Sequence, residues 1–458
     1  MTPNPSHPDG LIRTLGPFAA AAFVVTNMIG SGIFTVPAFV RVATGSPSAS
    51  LAVWLAAGLL GLCGALCYSE LATRMPRAGG EYRFLSDGLG PLWGFLSGWT
   101  SFVVGFSASV AASSLGVVAY VAPLIDGWNP DQSVGGIVTQ GAVAAAVLIL
   151  LLTGIHCIGV RWSGSVQTTL AALVLGAITL FLAAGFGSGN GSWSGLTGVA
   201  TPQSNAWVAL LQVTYAYAGW NAAAYIAGEV DDPQRNLPLA IIGGTVFVML
   251  AYVLLNTLFF YAVPEAQWEP TISIGALAAE RLFGESGARA VSAVIALAMF
   301  GSVSAMTAIG PRIYFAMARD GLAPRALART SARGAAPSAA IIAQGLVGSL
   351  LALTGAFSAL LVYIGSSLLL FNALTIVTLF VARHDPPSGE EDVFRTPMHP
   401  VPALVFIGIT LAAWINGLIG APVPTGAALL TLSAGAGVYR LGRYLGWFSS
   451  VSLEPARK

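Results

Sequence analysis

Charge is what this chain has least of. Of 458 residues, 20 are Lys or Arg and 19 are Asp or Glu, 9% in all, and the single lysine is the last residue, Lys458. Ordinary soluble domains carry about 25% charged residues, so a solvated globule is excluded. The net charge of +1 gives no reason to expect affinity for nucleic acid. Cysteine is equally scarce: Cys63, Cys67 and Cys157 are too few and too apolar in context for a disulfide framework or a metal site. Cys63 and Cys67, one helical turn apart, read as small packing residues. Of the four histidines, His7, His384 and His399 sit in polar segments and His156 stands alone near a helix end. No nucleophile has a base in reach, so an enzyme is not expected and no cofactor is implied. The first 13 residues lack the ordered charged, apolar and cleavage regions of a signal peptide, so the first apolar segment is expected to be retained.

What the chain has instead is 55% hydrophobic residues, a mean hydropathy of +0.77 and apolar stretches near 20 residues along its whole length. The fold class expected is an all-α polytopic membrane protein. Twelve spans are read at 14–44, 48–73, 91–124, 136–158, 162–186, 204–230, 237–263, 288–318, 336–355, 358–382, 401–420 and 423–445. Basic residues favour cytoplasmic loops. With the N-terminus inside, 17 basic residues fall inside and only Arg41, Arg281 and Arg289 fall outside, which supports both the even number of spans and cytoplasmic termini.

The stretch NMIGSGIFTVP, Asn27 to Pro37, interrupts this pattern. Its span of about 31 residues would run ~46 Å as a helix, well beyond a ~30 Å hydrocarbon core, so it must tilt strongly or break. Gly30, Ser31 and Gly32 are where it can break, since an interior Gly costs a helix ~1 kcal/mol relative to Ala. The plainer alternative is that small residues let two helices approach closely. A second interruption, at Ala218, Gly219 and Asn221 of the sixth span, favours broken helices. Two matching breaks divide spans one to ten into two five-span repeats. Five is odd, so the second is inverted relative to the first. The organisation expected is a tail (1–13), a first repeat (14–186), a second repeat (204–382), two further helices (401–445) and a tail (446–458).

Four segments in order, NMIGSGIFTVP, SELATRMPRAGGEYRFLSDGLGPLWGFLSGW (Ser69 to Trp99), YAYAGWNAAAYIAGEVDDPQRNLPLA (Tyr215 to Ala240) and GPRIYFAMARDGLAP (Gly310 to Pro324), resemble the amino acid-polyamine-organocation superfamily. The closest similarity is to its L-amino-acid-transporter-like permeases, over about Leu15 to Pro386. The resemblance implies a LeuT-like core of ten helices in inverted repeats, with helices 1 and 6 discontinuous, in the plasma (inner) membrane.

No formal charge is expected at mid-membrane, where one would cost at least ~2.5 kcal/mol. A zwitterionic substrate fits such a site better than a cationic amino acid or polyamine. The amides of Ser31, Gly32 and Ile33, freed at the start of a half-helix, are expected to face its carboxylate, with the Ser31 hydroxyl as a further donor. By resemblance, the carbonyls of Met28, Tyr215, Ala216 and Ala218 take the ammonium, Asn27 lines the pocket and Tyr215 is an aromatic gate. Ser302 and Ser304 either coordinate a cation or bond to their own helix. Glu70 with Arg74, and Glu229 with Arg235, read as inner-gate or helix-end salt networks. The function expected is permeation or exchange of neutral L-amino acids through the lipid bilayer; a transporter of cations and a non-transporting sensor are the alternatives.

Two departures from relatives matter. Val174 stands where several ion-independent members carry Lys, which leaves coupling open. The loop LIDGWNPDQSVGG has no Cys, so no disulfide-linked subunit is expected. With Glu70 and Glu229 as the nearest candidates for a coupling carboxylate, weak dependence on an imposed pH gradient is expected. Ala218, where relatives with large substrates carry Gly, points to small or medium side chains.

Overall fold

The computed structural model describes residues 13, 15–77, 79–158, 163–196, 205–329, 337–384 and 393–447. The two tails expected from sequence lie almost wholly outside these residues, as do Arg161, Arg333, Arg457 and Lys458 of the charge census. Among the described residues the elements are α1 (Pro17–Met28), α2 (Gly32–Thr35), α3 (Pro37–Thr44), α4 (Pro47–Arg74), α5 (Glu81–Leu89), α6 (Pro91–Thr100), α7 (Ser107–Val121), α8 (Gln140–Ile158), α9 (Ser163–Gly187), α10 (Ala206–Ala216), α11 (Ala222–Tyr225), α12 (Pro233–Ala262), α13 (Ile274–Ile309), α14 (Pro311–Arg319), α15 (Ser338–Leu353), α16 (Phe357–His384), α17 (Val401–Gly420) and α18 (Pro422–Tyr444). A π-helical stretch, Ser101–Phe106, joins α6 to α7. The one hairpin, Ser133–Val134 with Val138–Thr139, turns through Gly135 and Gly136 at φ 63° and 73°, values that suit glycine.

Among the described residues eight segments are long and apolar enough to cross a membrane, and three shorter apolar helices, Ala172–Gly187, Ala206–Ala216 and Ser338–Leu353, accompany them. The protein is therefore a multi-pass membrane protein. Helix starts follow local chemistry. Proline opens α1, α3, α4, α6, α12, α14 and α18, where its missing N–H costs nothing. The Ser46 side chain caps Ala49 N at 3.2 Å, and Asn205 caps Val208 N at 3.1 Å. One region departs from expectation: α13 begins at Ile274, 14 residues before the eighth span read from sequence, and bends at Gly284, φ 75°. Its first turns carry Glu280 and Arg281, so hydropathy alone does not show them.

The centre of the bundle is built on close approaches. α4 packs along α12, α8 against α15, and α7 against α13. Gly64 of α4 lies where a Cβ would meet the Trp220 ring at 2.8 Å. Large apolar side chains on the outside, such as Leu151, Leu250, Ile415 and Leu430, give the surface a lipid would cover. Two of the three basic residues expected outside find partners there, Arg41 with Glu265 and Arg289 with Asp126 at 3.3 Å.

Both interruptions are real breaks. α1 ends at Met28, Ile29 leaves the helical region at φ −78°, ψ 77°, and α2 starts at Gly32. α10 ends at Ala216, and the chain runs through turns to α11 at Ala222. Gly219 sits at φ 108°, and a Cβ there would lie 2.9 Å from the Asn27 carbonyl. A Cβ on Gly32 would lie 2.4 Å from Ala216 Cα. The two breaks touch each other, so the alternative explanation of the glycines, close approach, holds at the same positions as the breaks.

Candidate functional site

A cavity opens between the breaks. Asn27, Met28, Ser31 and Gly32 line it from the first segment, Tyr215, Tyr217 and Ala218 from the sixth, and Ser302 from α13. Among the described residues no Asp, Glu, Lys or Arg lines it. Among the described residues the amides of Ser31, Gly32 and Ile33 meet no acceptor, as expected for the first turn of a half-helix.

Hydroxyls bridge the two segments. Ser31 Oγ lies 2.5 Å from Tyr215 Oη and 2.8 Å from Ser113 Oγ of α7, and Ser113 lies 3.2 Å from Tyr215. The Ser31 hydroxyl is thus already engaged within the protein. Behind the breaks, the Tyr252 hydroxyl of α12 donates to the Met28 carbonyl and, at 3.0 Å, to the Ala216 carbonyl. Trp54, Tyr217 and Tyr252 pack ring to ring around that point, with centroids 5.0 to 5.9 Å apart. Tyr252→Phe removes the one donor shared by both breaks. Uptake is expected to fall about 3- to 10-fold, the worth of about one net hydrogen bond, with melting temperature little changed. Unaltered uptake in that variant would show that the shared donor has no part in transport.

The structure brings most of the expected residues together. Asn27, Met28, Ser31, Gly32, Tyr215, Ala218 and Ser302 all line the cavity, whereas Ile33 and Ala216 do not. Ser302 packs on Gly30, where a Cβ would meet its hydroxyl at 2.5 Å. Ser304 is turned away: it lies 2.9 Å from His156 Nε2 of α8 and takes no part in the cavity wall. Two residues apart on one helix, the two serines point to nearly opposite sides. Trp220 packs edge-on to Tyr68 at 4.7 Å while also facing the cavity.

The salt networks divide. Glu70, fully buried, accepts from Arg74 and Arg383 at 3.1 and 2.6 Å and from the Thr396 amide at 2.8 Å. Glu229 and Arg235 form no ion pair among the described residues. Instead the Glu229 carbonyl accepts from Leu15 N at 3.0 Å, and Asp231 N donates to Leu15 O at 2.9 Å. That pairing ties the chain before α1 to the end of the sixth segment. No group of metal-ligating side chains occurs among the described residues.

Ser113, Tyr217, Tyr252 and Asn372 were not singled out by sequence. Each is a polar residue inside a long apolar run, a signal shared with many hydroxyls that merely bond to their own helix. Glu81 was counted among loop carboxylates, yet it is 4% exposed and its Oε1 accepts from Asn221 at 2.6 Å, inside the broken sixth segment. The expectation that Glu70 and Glu229 are the nearest candidates for a coupling carboxylate is corrected by this contact, because the turn at Gly79 and Gly80 folds α5 back against the sixth segment.

Comparison with known proteins agrees with this geometry. A family model described as Amino acid permease matches residues 15–435. The Large neutral amino acids transporter small subunit 2 of Mus musculus is 31% identical over 443 residues, covering 95% of this chain and 82% of that protein. The Asc-type amino acid transporter 1 of Mus musculus is 28% identical over 442 residues, 94% of this chain and 81% of that one. The Serine/threonine exchanger SteT of Bacillus subtilis (strain 168) is 27% identical over 440 residues, 94% of this chain and 97% of that one. With two touching helix breaks around an uncharged cavity and a match over nearly its whole length, this chain belongs to the amino acid permease family.

Proposed function

We propose that the chain moves neutral L-amino acids across the plasma membrane by alternating access, as a permease or exchanger. The observation that carries this reading is the cavity between the two breaks, which offers free main-chain donors on one side, acceptors on the other and no formal charge in its walls. Such a site suits a zwitterion and leaves a further cationic group without a counter-charge. The names of two of these relatives, which specify large neutral amino acids and serine and threonine, support the same class.

In this reading the twelve spans form inverted repeats over 14–186 and 204–382, followed by 401–445, with both termini cytoplasmic. The substrate carboxylate takes the amides of Ser31, Gly32 and Ile33, each charge-assisted bond contributing ~1.5 to 3 kcal/mol. Counting lone pairs narrows the ammonium site. The Met28 carbonyl already accepts from Gly30 N and Tyr252, and the Tyr215 carbonyl from Tyr217 N and Ala218 N. A carbonyl has two acceptor positions. Among the described residues Ala218 keeps both open and lines the cavity, so it is assigned to the ammonium; Ala216 keeps one open but does not line the cavity. Tyr215 covers the bound substrate, and Asn27 meets its side chain. The loop between α7 and α8 has no cysteine, so the transporter is expected to act without a disulfide-linked subunit.

Uptake and counterflow of radiolabelled neutral amino acids into proteoliposomes test the proposal. The methyl ester and the decarboxylated amine of the best substrate are expected to compete at least about tenfold less well, because each leaves buried donors or acceptors unpaired. Equal competition by the amine would overturn the backbone site and favour a polyamine substrate.

A further inference from the structure

Glu81 opens α5 immediately after Gly79 and Gly80, whose φ values of 122° and 50° turn the chain back beneath the bundle. The Gly79 amide reaches the Tyr225 carbonyl at 3.4 Å, and a Cβ on Gly80 would lie 2.5 Å from the Tyr225 ring. The paired glycines therefore seat α5 against the far end of the broken sixth segment. There Glu81 Oε1 accepts from Asn221 Nδ2 at 2.6 Å and from Tyr68 Oη at 3.0 Å, and the Tyr225 hydroxyl donates as well. Tyr68 Oη also lies 3.0 Å from Asn372 Oδ1 of α16. Asn221, Tyr225 and Asn372 all line the cavity, so one neutral residue separates this carboxyl from the substrate space.

No guanidinium answers Glu81 among the described residues. Arg83 of its own helix pairs with Asp320 beyond α14 at 3.0 Å, a contact that Tyr82 shares at 2.6 Å. Arg383 of α16 and Arg74 of α4 are both held by Glu70. Asp87 is the other acid of α5, and α6 brings no ionisable side chain. The titratable groups facing Glu81 are the phenols of Tyr68 and Tyr225, with Tyr314 of α14 behind Tyr225. Burial outweighs the three hydrogen bonds and pushes the carboxyl up to about 7.

We propose that Glu81 is a proton-binding site linked to transport, whose protonated form holds the unwound sixth segment against α5 and whose ionisation releases it. The inference rests on the transport reading above. Protonated at Oε2, the carboxyl still accepts from Asn221 and Tyr68 at Oε1 and stays neutral in its buried place, which holds the segment against α5. Losing that proton to water leaves a buried charge with no cationic partner among the described residues, which favours the state in which the sixth segment moves and water reaches the carboxylate. Movement of the sixth segment is then coupled to release of a proton as well as to the amino acid.

The test uses the full chain in proteoliposomes. Wild-type uptake is expected to change at least about threefold between external pH 6 and pH 8, with its midpoint near the carboxyl's value of about 7. Glu81→Gln is expected to flatten that profile. Tyr68→Phe removes a donor that favours the ionised form, so its midpoint is expected to move to higher pH. Melting in detergent gives an independent readout. A folded-state pKa raised above the unfolded one contributes stability that is fully present below the ordinary value of 4.5 and is lost as pH rises through about 7. Wild type should therefore melt lower at pH 8 than at pH 6, and Glu81→Gln should reduce the difference. A flat wild-type profile, or an unchanged profile in Glu81→Gln, would overturn the proposal while leaving transport intact. Loss confined to cationic substrates in Glu81→Gln would make the carboxyl a side-chain subsite and would overturn it too. Absence of uptake at every pH would sink the transport reading instead, and the melting comparison would still decide for or against Glu81.

Discussion

Gly32→Val is expected to reduce uptake at least about a hundredfold while the protein still reaches the membrane. A Cβ at this position lies 2.4 Å from Ala216 Cα and 3.2 Å from Ala216 N, and both of those atoms are backbone. Neither can swing aside, so the half-helix starting at Gly32 and the end of α10 must part. Overpacking of this kind typically costs ~1 to 3 kcal/mol, and here it also displaces the three free amides proposed to meet the carboxylate. From sequence, the same substitution would fill the space where the backbone approaches the substrate. The structure moves the obstruction to the facing break, which makes the effect independent of substrate size. Gly408→Ala is the control, because nothing lies within 4 Å of a Cβ there. Wild-type uptake in Gly32→Val would show that the breaks need not touch for transport.

Glu70→Ala is expected to have the largest effect on stability. Its carboxylate is fully buried and accepts from Arg74, Arg383 and the Thr396 amide. Removing it takes the shared counter-charge from Arg383, 27% exposed at the side chain, and from Arg74, 6% exposed, which keeps its bond to the Ala382 carbonyl. Breaking a buried pair from one side typically costs about 3 to 5 kcal/mol. The expected result is a marked fall in folded yield and melting temperature on size-exclusion chromatography, even with substrate present. Replacing Glu70 and Arg383 together by Leu should recover part of the loss. Unchanged melting in Glu70→Ala would mean that the two arginines find water once the carboxylate is gone.

How much of this was legible in the sequence differs by residue. The first break announces itself because Gly30, Ser31 and Gly32 fall inside an apolar run too long to cross the bilayer as one straight helix. The second is legible by its match to the first. Tyr252 is not, because a tyrosine in an apolar helix looks the same whether it packs or holds two carbonyls together. Ser302 and Ser304 were separable in principle: two residues apart on a helix, only one could face the cavity. Glu81 was hidden for another reason. Hydropathy assigns the chain between two spans to solvent, and only the fold of the Gly79–Gly80 turn brings it back inside. Glu229 and Arg235 illustrate the reverse case, since nearby opposite charges suggest a bond that the exposed Arg235 does not make.

The π-helical stretch Ser101–Phe106 sets the phase of the third span. Ser101, Gly105, Ser109 and Ser113, each four residues from the next, all reach the cavity. On an uninterrupted α-helix, advancing about 100° per residue, the twelve steps from Ser101 to Ser113 would drift by about 120° around the axis. A π turn absorbs one residue more than an α turn, which takes back about 100° of that drift. The two ends of the row then stand within roughly 20° of each other, and one straight stripe of small residues runs the length of the cavity. The Ser101 carbonyl, which accepts from Tyr314 Oη at 3.0 Å, anchors the start of that stripe. A single-residue change in length here would act as a rotation, turning every position on one side of the stretch by about a quarter of a circle relative to the other.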